Sequence, residues 1–197
     1  MAVIFDAVVL AGGRGSRLGG IDKPAVRIGG RRLLDIALSA VAGARRVVVV
    51  GDADVPSGVL RTREDPPFGG PVAALDAGLA ALGRAHGQAP WTLVLAADLP
   101  DAEAAVATLL ASPPSDDEDG ACLVDDDGRL QWLLGCYRTA ALVRRLGERG
   151  DPPLTAMHRL LAPLRLRGVA RGAAVVDDLD TPEDAARWAG RRGAVEW

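Results

Sequence analysis

The stretch most able to do chemistry is residues 10–24, LAGGRGSRLGGIDKP. Glycines let a backbone approach phosphate oxygens and turn its N–H groups toward them. Arg14, Arg17 and Lys23 add positive charge to the same loop. Lys23 is the only lysine among 23 basic residues, so it stands out against a strong arginine bias. A dinucleotide fingerprint needs Gly where Leu18 stands, and a P-loop needs Ser or Thr where Pro24 follows the lysine, so neither motif is present. A second candidate is Asp98 in Ala97-Asp98-Leu99-Pro100, directly after an apolar run. A hard carboxylate oxygen at a strand end suits Mg²⁺ carried by a nucleoside triphosphate; a turn or helix-capping role is the local alternative. Together the two segments read as a triphosphate cradle with a metal-binding carboxylate.

No protein nucleophile accompanies them. The chain has no Gly-x-Ser-x-Gly elbow, and His86 and His158 have neither metal-ligand spacing nor a Cys or Ser partner. Cys122 and Cys136 fall on expected strands and read as packing residues. Residues 116–119 (DDED) and the turn at 125–128 (DDDG) read as solvated loops, and the four tryptophans are too scattered for a stacking platform. Transfer of a nucleotidyl group to an acceptor phosphate needs no such nucleophile, because the acceptor oxygen is already anionic.

Leu10-Ala11-Gly12-Gly13-x-x-Ser16-Arg17-Leu18-Gly19-x-x-Asp22-Lys23 resembles the signature of nucleotidyltransferases with a glycosyltransferase-A-like fold, and within them the molybdenum cofactor guanylyltransferases. The resemblance runs from residue 3 to about residue 189. It implies Mg²⁺-dependent transfer of GMP from GTP to a molybdopterin-type phosphate, with pyrophosphate released. Leu10, Ala11, Gly12, Gly13, Arg14, Gly15, Ser16 and Lys23 would then bind nucleotide, with Lys23, Arg17 and Asp98 catalytic. Gly69-Gly70-Pro71-Val72 looks like the family's Gly-Pro-Leu segment, where Gly70 and Pro71 open a helix whose free N–H groups face the nucleotide. Asp65 matches the family's acidic nucleotide-binding position, where a carboxylate can accept from guanine's paired N–H donors; loop solubility is the other reading.

Asp178 and Asp180 stand where relatives carry Asn before Thr-Pro. The resemblance suggests Asp178 for the metal and Asp180 for the acceptor, while Thr181-Pro182 is a helix start that needs no ligand. Residues 131–137, Gly135 included, are placed near the acceptor. A cytidylyltransferase or sugar-1-phosphate enzyme of the same fold is the nearest rival, and a non-catalytic nucleotide sensor is the rival of another class. Transient contact with molybdoenzyme assembly proteins is also implied.

Such residues need strands ending at one edge. Residues 3–10, 46–51, 59–63 and 91–96 read as strands, and residues 32–42, 71–82 and 101–111 as helices. Residues 121–124 and 129–137 read as a hairpin, followed by helices over 139–149 and 154–161, a strand over 173–176 and a helix from Thr181. Strands alternating with helices imply a three-layer α/β/α fold with a mixed, mainly parallel sheet. One domain over residues 1–197 is expected, with an acceptor-side region around 121–150. A net charge of -3 argues against a nucleic-acid coat. No apolar run approaches the roughly 18 residues of a membrane span. Two cysteines and the absence of a basic leader point to the cytoplasm.

Overall fold

A computed structural model describes residues 3–12, 26–85, 87–148, 156–171, 188 and 194–196. Its frame is a seven-stranded sheet built from β1 (Phe5–Leu10), β4 (Val47–Val50), β5 (Leu60–Thr62), β6 (Trp91–Ala96), β7 (Gly120–Val124), β8 (Leu130–Arg138) and β9 (Leu166–Ala170). A small second sheet pairs β2 (Arg27–Ile28) with β3 (Arg31–Arg32) and β10 (Val195–Glu196). The main order is β5-β4-β1-β6-β8-β7-β9. Only β8 runs against the others, antiparallel to both β6 and β7.

The interior strands are built for this place. β1 (FDAVVL), β4 (VVVV) and β6 (WTLVLA) are near-continuous apolar runs, as strands covered on both faces must be. Alternate residues feed two cores: Phe5, Ala7 and Val9 pack toward α1 (Leu33–Ala40) and α3 (Ala102–Ala111). Val8 and Leu10 pack toward α2 (Gly70–Arg84), α4 (Thr139–Gly147) and α5 (Met157–Leu161). The result is the three-layer α/β/α architecture with a mixed, mainly parallel sheet. Among the described residues no helix is long and apolar enough to cross a membrane.

Asp6, which interrupts the first apolar run, is 1% exposed and held at the amino edge of the sheet. Arg45 Nη2 and Arg46 Nη2 donate to its carboxylate at 3.2 and 2.9 Å, and the Ala89 amide donates at 2.8 Å. Burial alone would raise its pKa; the two guanidiniums and the amide outweigh that and hold the carboxyl below its usual value.

Several expected bounds shift. The strand expected over 3–10 begins at Phe5, the helix over 32–42 is Leu33–Ala40, and the helix over 154–161 is described only from Met157. Pro71 is the second residue of α2, with Gly70 first. The strand β9 is absent from the sequence reading: Arg167 and Gly168 blur its alternation, and only pairing with β7 makes it a strand. The expected strand over 173–176 and the helix from Thr181 lie outside the described residues.

Candidate active site

Five segments meet at the carboxyl edge of the sheet. β1 runs out into Ala11 and Gly12, and β4 into Gly51. Both exits are pinned by backbone hydrogen bonds: Ala11 N–H to the Val50 carbonyl at 2.9 Å, Ala97 N–H to Leu10 at 3.0 Å, and Gly51 N–H to Thr62 at 2.9 Å. α2 brings its first turn to the same edge, and β6 ends there at Ala96, followed by Asp98. Because β8 is antiparallel, its opening residues rather than its last ones reach this edge, with Leu134 opposite Leu95.

Between them lies a groove of about 600 Å³. Its walls include Leu10, Gly12, Gly70, Pro71 and Asp98 from the expected site. A side cavity of about 170 Å³ opens beside Ala11, Gly12 and Gly51. Glu64 and Phe68 border both spaces. Glu64 is 9% exposed, and its carboxylate accepts the Phe68 amide at 3.1 Å. Phe68 sits at φ 63° with its ring 54% exposed, and the Arg63 guanidinium lies 5.5 Å from the ring centre. Arg63 also pairs with Asp52 at 2.8 Å.

Gly51 is required by contact. A Cβ there would stand 2.8 Å from the Ala11 carbonyl oxygen, and the backbone is at φ 150°. The exit of β4 therefore runs directly against the first residues of the glycine loop.

The structure does not gather every expected residue. Asp65 is exposed and outside the groove lining; its neighbour Glu64 turns in, as consecutive residues leaving a strand point to opposite sides. Gly135 is buried behind the groove rather than in its wall. A Cβ at Gly135 would lie 2.6 Å from the Tyr137 ring, so that position makes room for the tyrosine. Within the acceptor segment, Gln131, Trp132, Leu133 and Leu134 line the groove, whereas Cys136 and Tyr137 face the cores. Gly13, Arg14, Gly15, Ser16, Arg17, Lys23, Asp178 and Asp180 lie outside the described residues.

Sequence reasoning missed Glu64, Phe68, Gly51 and Met157. Trp132 lies within the segment 131–137 expected near the acceptor, though not as a stacking platform, and His158 was set aside for want of metal-ligand spacing and a nucleophile partner; both line the groove because β8 reverses and α5 packs beside it. The cysteines behave as expected of packing residues. Burial pushes the Cys122 thiol up to about 12, against a small opposing effect of Tyr137, and pushes Cys136 up to about 12 as well. Neither is a thiolate at neutral pH.

The donor set suits a metal that arrives with its nucleotide. Among the described residues no three His, Cys, Asp or Glu side chains converge as a metal cage. Asp98 and Glu64 instead offer separate hard oxygens in a groove open to phosphates, which is how Mg²⁺ is commonly held.

Known proteins resemble this chain in sequence and in fold. A molybdenum cofactor guanylyltransferase from Xanthomonas euvesicatoria pv. vesicatoria is 31% identical over 189 residues, covering 93% of each chain. The molybdopterin-guanine dinucleotide biosynthesis protein A of Archaeoglobus fulgidus superposes with a TM-score of 0.67 at 19% identity, over 93% of this chain and 96% of its own. The inositol-1-phosphate CTP transferase of T. maritima superposes at 0.68 with 14% identity, over 94% of both chains. Residues 7–169 match the model of the MobA-like NTP transferase domain, and the chain belongs to that family of nucleotidyltransferases.

Proposed function

We propose that this nucleotidyltransferase joins GMP from GTP to the phosphate of a molybdopterin-type acceptor and releases pyrophosphate. The observation that carries the reading is the groove itself: strand exits, a helix N-terminus and Asp98 converge at one edge in a chain of this family. The guanylyl and molybdopterin parts are supported by the names of its relatives.

In this reading the β1 exit and the loop from Gly12 through Lys23 hold the triphosphate. Main-chain amides, Arg14, Arg17 and Lys23 offset its charge. The α2 N-terminus, at Gly70 and Pro71, adds oriented N–H groups and the positive end of the helix dipole. Glu64, or Asp65 after a local turn, supplies a carboxylate able to accept guanine's N–H donors. Asp98, joined by Asp178, would hold Mg²⁺, which when bound offsets charge on the phosphates. An acceptor phosphate oxygen forms the new bond to the α-phosphorus, while the bond to the bridging oxygen breaks and pyrophosphate leaves with the electron pair. The acceptor monoester is already ionised, so the protein moves no proton; it positions two phosphates and balances their charge. Asp180 and the β8 side face the acceptor. Two buried thiols suit a reducing cytoplasm, where the acceptor would be supplied and the product passed to molybdoenzyme assembly proteins.

A titration panel of GTP, CTP, UTP and ATP with Mg²⁺ tests the branch: GTP is expected to bind most tightly, and a clear CTP preference overturns the reading. Asp98→Ala is expected to slow acceptor-dependent pyrophosphate release about a hundredfold, the loss of several kcal/mol of charge stabilisation. Unchanged turnover in that variant removes the metal role, and tight GTP binding without turnover in the wild type would make the chain a sensor.

A further inference from the structure

The helix α5 rests one flank on the core and turns another toward the groove. Met157, Leu160 and Leu161, at i, i+3 and i+4, are buried against α2 and α4, so the helix cannot rotate about its axis without exposing them. The Arg145 guanidinium donates to the Leu160 carbonyl at 3.2 Å and holds the far end of the same turn. His158, next to Met157 and off that buried face, is exposed and lines the groove. No described residue engages its ring in a hydrogen bond or ion pair.

The charge it can carry has no equivalent among the described lining residues. Apolar side chains line the groove on every side, Leu10, Phe68 and Pro71 as well as Leu133 and Met157. The ionisable groups in that described lining are Glu64, Asp98 and His158, two carboxylates and one base. Polar groups of β8 are already engaged. Gln131 Nε2 donates to the Asp125 carboxylate at 3.0 Å, and the Trp132 carbonyl accepts the Tyr137 hydroxyl at 2.7 Å. A phosphate dianion entering between β8 and α5 loses water against such walls, a cost that a nearby cation offsets. An imidazolium does so with charge-assisted hydrogen bonds, since both of its ring nitrogens donate.

We propose that His158 is an acceptor-binding residue, its imidazolium donating to the phosphate monoester that attacks the nucleotide. It holds the acceptor phosphate from α5, while the triphosphate rests on the β1 exit and the first turn of α2. This inference rests on the guanylyl-transfer reading and adds to it the side chain that recognises the acceptor's charge.

The chain has two histidines, so imidazole proton resonances can be followed directly by NMR. The His158 signal is assigned by its loss in His158→Gln. The triphosphate site is first filled with α,β-methylene GTP and Mg²⁺, and inorganic phosphate is then titrated in at constant pH and ionic strength. The His158 resonance is expected to move and to saturate. In turnover, His158→Gln is expected to raise the acceptor KM about tenfold, the scale of one hydrogen bond to a charged group, with kcat and the GTP KM changed by less than about twofold. His158→Arg keeps a cationic donor and restores most of the loss. A resonance unmoved by phosphate, an unchanged acceptor KM in His158→Gln, or no recovery in His158→Arg overturns the proposal. So does a shift produced in full by the nucleotide analogue alone, which would assign the ring to the triphosphate. Repeating the titration with α,β-methylene CTP separates the two readings. A phosphate response with the cytidine analogue, and no binding of the guanosine one, discards guanylyl transfer and leaves His158 in place. Binding of the guanosine analogue without a phosphate response does the reverse.

Discussion

At the scale of single residues, position relative to a strand end decides what a side chain can do. Asp98 and Gly12 were recognisable because an apolar strand run stops just before each of them. Glu64 and Trp132 follow weaker signals, and their place in the groove depends on partners distant in sequence. Gly51 belongs to the second kind. Nothing in Val50-Gly51-Asp52 says that a carbonyl from residue 11 will lie against it, yet that contact leaves no space for a methyl group. Gly51→Ala is therefore expected to cost about 2 kcal/mol and to displace the first residues of the glycine loop. The check is paired: a lowered urea midpoint, together with GTP affinity weakened several-fold. Unchanged affinity would mean that the loop entrance tolerates the shift.

At the scale of elements, β8 supplies one wall of the groove. The strands and helices expected within the described region are present, with ends moved by a few residues, because apolar runs and 3.6-residue periods are local signals. The helix expected over 154–161 is described from Met157 onward. The hairpin was also legible, from turn residues between two alternating runs. Its consequence was not: pairing beside β6 reverses β8, so its opening residues, not its last, reach the groove. Within that strand Gly135 leaves the space that the Tyr137 ring fills. Gly135→Ala is expected to push the Tyr137 ring off its seat and destabilise the fold by about 1–3 kcal/mol, as overpacking does. Loss of the fixed carbonyl at Trp132 should follow, so weaker binding of a pterin monophosphate with unaltered GTP binding is the companion readout. A variant as stable as the wild type would show that the strand absorbs the methyl by bending.

At the scale of the whole molecule, the two sheet edges do different work. The carboxyl edge opens into the groove, whereas the amino edge is closed around Asp6. Arg45 and Arg46 join the start of β1 to the chain before β4, and Arg46 also donates to the carbonyls of Leu82 in the last turn of α2 and of Ala85 and Gly87 beyond it. Removing the carboxylate leaves two guanidiniums facing a buried pocket, so Asp6→Asn is expected to cost about 3 kcal/mol near neutral pH, at the lower end for a buried pair because Arg45 is half exposed. Against the opposing effect of burial, the two guanidiniums and the Ala89 amide hold the Asp6 pKa in the folded chain below the ordinary value of 3.8. The stabilisation is therefore complete above that value and is lost as pH falls through the folded pKa. Urea unfolding across the acid range should show the gap between wild type and variant closing below pH 3.8. A gap that stays constant there would assign the cost to packing rather than charge.

The amino-acid sequence by itself determined the alternation of strands and helices, the glycine loop and the acidic strand end, because each is written within a few consecutive residues. Membership of the family was legible for the same reason: its signature is one continuous loop. Only the tertiary structure decided that Glu64 turns into the groove beside Asp65, that Gly135 leaves space for the Tyr137 ring, and that Trp132 lines the groove. Those outcomes come from strand order and direction, set by contacts between residues tens of positions apart, which no local pattern encodes.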